Sequence, residues 1–167
     1  VGQGACNQSN QVTGLATATS FLTGATSLVS QVKSKQGWFT TLTRSRERVI
    51  ANPIVLGGVV FFPSFVPDND ICSTSGDSYL FALYYVTGSA YQESVIGTSG
   101  GNINKSVYLD RGVSSSVAIH IGSQGPGNNP SAVQGCVQAS SAAISCVNMT
   151  PPNSVASRYL SWIHQRD

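Results

Sequence analysis

The stretch IVLGGVVFFPSF, Ile54 to Phe65, is the densest apolar run in the chain, and Gly57, Gly58 and Pro63 interrupt it. Three readings compete for it: a membrane span, a core helix and a piece of sheet. A helix that crosses a bilayer needs roughly 20 consecutive apolar residues, and this run has only about a dozen. A membrane span is therefore excluded. Gly-Gly is a turn dipeptide, and the β-branched and aromatic residues on either side favour extended backbone. RVIANPIVL before the glycines and VVFFPSF after them are read as two antiparallel strands.

The same pattern continues outward. PDNDICSTSGDS, 67–78, has loop composition; YLFALYYV follows as a third strand, TGS as a turn and AYQESVIG as a fourth strand. Four consecutive short strands make a meander, and their near-continuous apolar content implies burial on both faces. After Gly100-Gly101 the pattern partly restarts. KSVYLD and SSSVAIHIG are strands around a turn at Arg111-Gly112, SQGPGNNPSA is a long loop, and GCVQASSAAISCV is two short strands around a turn. Pro151-Pro152 then breaks the chain before the tail SRYLSWIHQRD. Toward the N-terminus, Phe21, Leu22, Leu28 and Val32 have a helix-compatible spacing, but Gly24 and several threonines argue against a stable helix. The expectation is an all-β fold of antiparallel meander sheets in three parts: a polar irregular segment 1–36, a four-stranded unit 37–100, and a second partial unit 101–167.

The composition narrows the function classes. The 167 residues suit one domain with a real core. Charged residues make up 10% of the chain, well under the usual quarter, and Ser, Thr, Asn, Gln and Gly take their place. That mixture is common in secreted β-proteins. A net charge of +2 gives no field to draw nucleic acid or an anionic membrane. Val1-Gly2-Gln3-Gly4 lacks the basic start and apolar core of a signal peptide, so an exported protein would be seen here as a mature form or a fragment.

Four cysteines, Cys6, Cys72, Cys136 and Cys146, lack metal or haem spacing. Disulfides are the expectation, and the hairpin reading of GCVQASSAAISCV favours Cys136 with Cys146, which leaves Cys6 with Cys72. Four reduced, buried cysteines are the alternative.

Candidate chemistry is sparse. His120 and His164 have no G-x-S-x-G elbow beside them, and no paired-carboxylate set stands out. Asp68, Asp70 and Asp77 begin an oxygen-rich loop without the central glycine and closing glutamate of an EF-hand, so they are read as turn residues in preference to calcium ligands. Arg44, Arg46 and Arg48 in TRSRER would lie on one face of an extended strand, as a charged edge or an anion-binding surface. Three N-x-S/T sequons, at Asn7, Asn104 and Asn148, are of the kind that a Ser/Thr/Asn-rich chain produces by chance. No catalytic residue, metal or cofactor is expected.

The middle of the chain resembles a known family. Gly37-Trp38, Arg48-Val49 before Asn52-Pro53, Gly57-Gly58, Phe61-Phe62, Pro67, Cys72, then Gly76, Ser78-Tyr79-Leu80, Ala82-Leu83 and Thr87-Gly88 are similar to the C-terminal β-propeller region of the PilY-type, type IV pilus tip-associated adhesins. The closing SRYLSWIHQRD also resembles that family's end. The family's Asp-rich calcium loop and its adhesive N-terminal domain have no counterpart here.

The resemblance implies one to two blades of a propeller, which by themselves would expose apolar sheet faces. It further implies a non-enzymatic, extracellular, bacterial-surface component. Its partners would be a pilin, another propeller chain, or copies of itself in a filament. Phe61, Phe62, Phe65, Tyr84 and Tyr85 are the residues expected at blade or partner interfaces, with plain core as the competing reading. Two alternatives stand: a carbohydrate-binding β-module, and a fragment of a propeller like those of quinone-dependent dehydrogenases.

Overall fold

The computed structural model describes residues 27–70, 75–122 and 133–153, together with Leu22 and Gly24. Cys6, Cys72, Asn7, His164, the tail from Ser154 and the loop 123–132 lie outside the described residues. Among the described residues the architecture is all-β and antiparallel, with three small sheets and one short helix.

The opening stretch folds as a hairpin. β1 (Ile54–Leu56) and β2 (Val59–Pro67) pair antiparallel with Leu56 opposite Val59. Gly57 and Gly58 form the two-residue loop with φ of 56° and 86°. Both values lie in the left-handed region that a tight hairpin turn requires. β1 is much shorter than RVIANPIVL because Pro53 has no N–H to give to a ladder. Upstream, Arg48 returns to the sheet, exchanging both backbone hydrogen bonds with Phe65 at 3.0 and 2.9 Å. β3 (Gly76–Tyr84) pairs along all of β2, with Phe61 opposite Ala82 and Ser64 opposite Tyr79.

The fourth strand is not where the sequence pattern placed it. AYQESVIG is irregular, and its adjacent Val95 and Ile96 are both buried in the core instead of alternating. Their backbone serves other partners: the Val95 carbonyl accepts from Thr150 N at 2.9 Å. The place beside β3 goes to a later strand. After a small hairpin, β4 (Thr98–Ser99) and β5 (Asn102–Ile103), comes β6 (Ser106–Arg111), which gives the sheet order β1-β2-β3-β6. The first sheet thus reaches past residue 100, the expected limit of the four-stranded unit.

The second sheet is β7 (Ala118–Ile121), β8 (Val133–Gln138) and β9 (Ile144–Met149), in that order. The β8–β9 hairpin turns through Ala139–Ala143, with Ala139 N donating to Ala143 O and Ala142 at φ 66°. Cys136 faces Cys146 across it and the two are joined in a disulfide with Cα atoms 4.1 Å apart. That short separation fits a pair whose backbone groups do not bond each other.

The register divides the first sheet into two faces, because directly opposed residues share a face. Ile54, Leu56, Val59, Phe61, Leu80, Ala82 and Val107 share one. This inner face meets Val95, Ile96, Val117, Val133, Val137 and Met149 in a single core. The second sheet therefore supplies, within the chain, the cover that the propeller resemblance assigned to neighbouring blades. Each fully buried Leu, Val or Phe here stabilises the fold by roughly 1.5–3 kcal/mol relative to exposure.

The N-terminal segment contains a helix after all, α1 (Leu28–Lys33). Ser27 caps it, its hydroxyl accepting from Ser30 N at 3.2 Å. Six residues are too few for a helix to persist alone in water. Packing makes up the difference: Leu28 and Val32 are buried against Trp38, Tyr84 and Tyr91.

Candidate functional site

The other face of the four-stranded sheet carries Val55, Val60, Phe62, Ser64, Tyr79, Phe81, Leu83, Ser106 and Tyr108 by the same register. The segment from Trp38 to Arg48 runs across it as a strap. At one end the Trp38 indole N–H donates to the Tyr85 carbonyl at 2.8 Å. Further along, the Arg44 guanidinium sits 3.5 Å from the centre of the Tyr79 ring, bonds Ser106 Oγ at 3.1 Å and pairs with Glu47 at 2.8 Å.

Glu47 is the unusual residue. Its side chain is fully buried, and its carboxylate accepts from Arg44, from Ser64 Oγ at 2.6 Å and from the Arg44 backbone N–H at 3.2 Å. A buried carboxylate persists only when its lone pairs are met in this way. The strap is thus fastened to the sheet by a satisfied polar knot.

The arginine pattern corrects the sequence reading. Residues 44–47 form a tight turn, closed by Glu47 N to Arg44 O at 3.2 Å, with Arg46 at φ 59°. Arg44, Arg46 and Arg48 therefore do not share a strand face. Arg44 serves the knot, Arg46 binds the Asp68 carbonyl and Asn69 side chain, and Arg48 bridges Phe65 through its backbone. The signal available in the sequence was Glu47 three residues after Arg44, a spacing that lets opposite charges meet within one turn.

The five expected interface aromatics fall in different places. Phe61 is fully buried in the shared core. Phe62 is half-buried and stacks on Phe81 at 5.1 Å between ring centres. Phe65 is half-buried at the far end of β2, against Gly76. Tyr84 packs between Tyr85 and Tyr91, at 5.3 and 5.1 Å. Tyr85 is 56% exposed. Beside the Gly57-Gly58 turn, Tyr85 N donates to Gly58 O, and Val55 on the same face is 62% exposed. At the opposite edge Tyr108 lies half exposed in an edge-on contact with Tyr79.

Electrostatics adds little chemistry to this face. Partial desolvation first, and the carboxylates of Asp77 and Asp110 second, hold the Tyr108 hydroxyl above the ordinary tyrosine value. Arg111 pulls it the other way while pairing with Asp68 at 2.9 Å. Among the described residues no three His, Cys, Asp or Glu side chains group as metal ligands, and no helix is long and apolar enough to cross a membrane. His120 is an exposed residue of β7.

The arrangement defines a small, disulfide-bearing β-module with one face sealed by its own second sheet and the other strapped but still carrying exposed apolar groups. Over 63 residues the chain is 36% identical to the type IV pilus biogenesis factor PilY1 homolog of Xylella fastidiosa (strain Temecula1). The match covers 34% of this chain and 4% of that protein's length. No protein-family model matches the chain. No solved structure matches it either.

Proposed function

We propose that this chain is a non-enzymatic structural or adhesive module, associated at the bacterial surface with type IV pili or a related filament. The observation that carries the reading is its similarity to a pilus biogenesis factor homolog. A cross-strand disulfide suits an oxidising location outside the cytoplasm. In this reading the strapped sheet is a blade-like unit, and its exposed end, Val55 and Tyr85 beside the Gly57-Gly58 turn, meets a pilin or a propeller-containing partner. Aromatic residues with one apolar flank are favoured at such contacts. Phe62 and Tyr84 support that end from below, Phe61 anchors it to the core, and Phe65 lies at the far end of the same strand.

Site-specific photo-cross-linking in living cells tests the proposal. A cross-linkable residue at Val55 or Tyr85 is expected to capture a pilus component, and one at the exposed Gln92 of the loop after β3 is not. Capture of no pilus component from Val55 or Tyr85 overturns the reading.

A further inference from the structure

The edges of the two sheets are treated differently. In the first sheet β1 has three residues behind Pro53, and β6 carries Asp110 and Arg111 with Lys105 just before it. Short strands, prolines and charges are the devices that keep an edge from pairing with another chain. β9 has none of them. It is six residues long, and no Lys, Arg, Asp or Glu occurs anywhere between Arg111 and Arg158.

The direction of its backbone groups follows from the hairpin. Ala139 and Ala143 form a bonded pair, so along β9 the residues Ser145, Val147 and Met149 bond β8 while Ile144, Cys146 and Asn148 turn their N–H and C=O outward. Thr150 follows the same alternation, since its outward N–H is taken by Val95 O. The backbone row from Ile144 to Asn148 has no such partner among the described residues. All three of these residues are exposed, and Ile144 is 71% exposed.

We propose that this edge of β9 is a self-association site, at which a second copy of the chain adds its own β9 antiparallel. Charge points to a second copy as the occupant. An edge without charge neither attracts a charged strand nor repels its own copy, and an unguarded edge is self-complementary by backbone alone. With the two-fold axis at Cys146, Ile144 stands opposite Asn148 of the second copy and Cys146 opposite its equivalent. Each pair exchanges both backbone hydrogen bonds. Two three-stranded sheets become one continuous sheet, and the Val95–Thr150 contact marks where the pairing stops. The inference is independent of the pilus reading, because it rests on β9 alone.

Sedimentation of the full chain over a range of concentrations tests it, with two variants. Ile144→Lys places a charge on the edge at an exposed position. Asn148→Pro removes an outward N–H and leaves the backbone bonds to β8 in place, giving up the side-chain bond from Gln134. Wild type is expected to pass from monomer to dimer as concentration rises, and both variants, with unchanged circular dichroism, to dimerise at least about tenfold more weakly. A wild type that stays monomeric at every concentration overturns the proposal. So does a dimer that neither variant weakens. Either result leaves the cross-linking test of the pilus reading standing on its own.

Discussion

The indole ring of Trp38 occupies the space that a β-carbon on Gly88 would need, so residue 88 is glycine for reasons of contact as well as of its φ of 66°. The strap begins at this point, pressed on the turn that ends β3 and held there by the bond from the indole to Tyr85. Gly88→Ala is expected to lower stability by about 3 kcal/mol, combining left-handed strain with overpacking. Urea unfolding reads the loss as a lower midpoint, and an unchanged midpoint would place Trp38 elsewhere.

The knot at the other end of the strap gives a second expectation. Arg44→Ala strands a buried carboxylate and should cost ~3 kcal/mol. Replacing both members, Arg44→Met with Glu47→Leu, removes the charge as well as its partner and should cost clearly less than the single change. A double variant as unstable as the sum of two singles contradicts the buried pairing.

Much of the fold was legible in the sequence, and the remainder was hidden for physical reasons. Gly57-Gly58 between branched and aromatic runs marked the first hairpin, and GCVQASSAAISCV marked the disulfide hairpin, because local turn chemistry dictates both. AYQESVIG misled because Val95 and Ile96 have strand-like composition but are used as a plug between sheets, a role set by tertiary packing. β6 could not be assigned to the first sheet from local pattern, since its pairing with β3 joins residues far apart in the chain. The helix at Leu28–Lys33 was masked by weak propensity that burial overrides. The pattern picked out Phe61, Phe62, Phe65, Tyr84 and Tyr85 without indicating which face each would take, and that depends on register alone.

The disulfide closes a short loop, with ten positions separating Cys136 from Cys146. Loop-closure entropy for that length is worth roughly 2.5 kcal/mol. Thermal unfolding of the Cys136→Ser, Cys146→Ser variant should show a loss of that order with the β8–β9 pairing retained, as the cysteines occupy a site that makes no backbone bond between those strands. Loss of all β8–β9 protection in hydrogen exchange would contradict it.

Alkaline pH should loosen the fold through Tyr84. Its hydroxyl is held above the ordinary tyrosine value of 10.0 by burial first and by Tyr85 and Tyr91 second. A raised folded-state value means that the unfolded chain loses this proton first. The stabilising preference is therefore intact below pH 10.0 and is lost as pH rises through the folded value. Tyr84→Phe should lose less stability than wild type above that pH, measured by unfolding at a series of alkaline pH values. Parallel curves for the two proteins would remove Tyr84 as the cause.

Membership of a surface filament is the central claim, and shearing measures it most directly. Filaments sheared from cells of the source organism and separated from cells and soluble protein are expected to carry this chain, and to lose it when the major pilin is absent. Recovery only in the soluble fraction, with or without pilin, would contradict that claim.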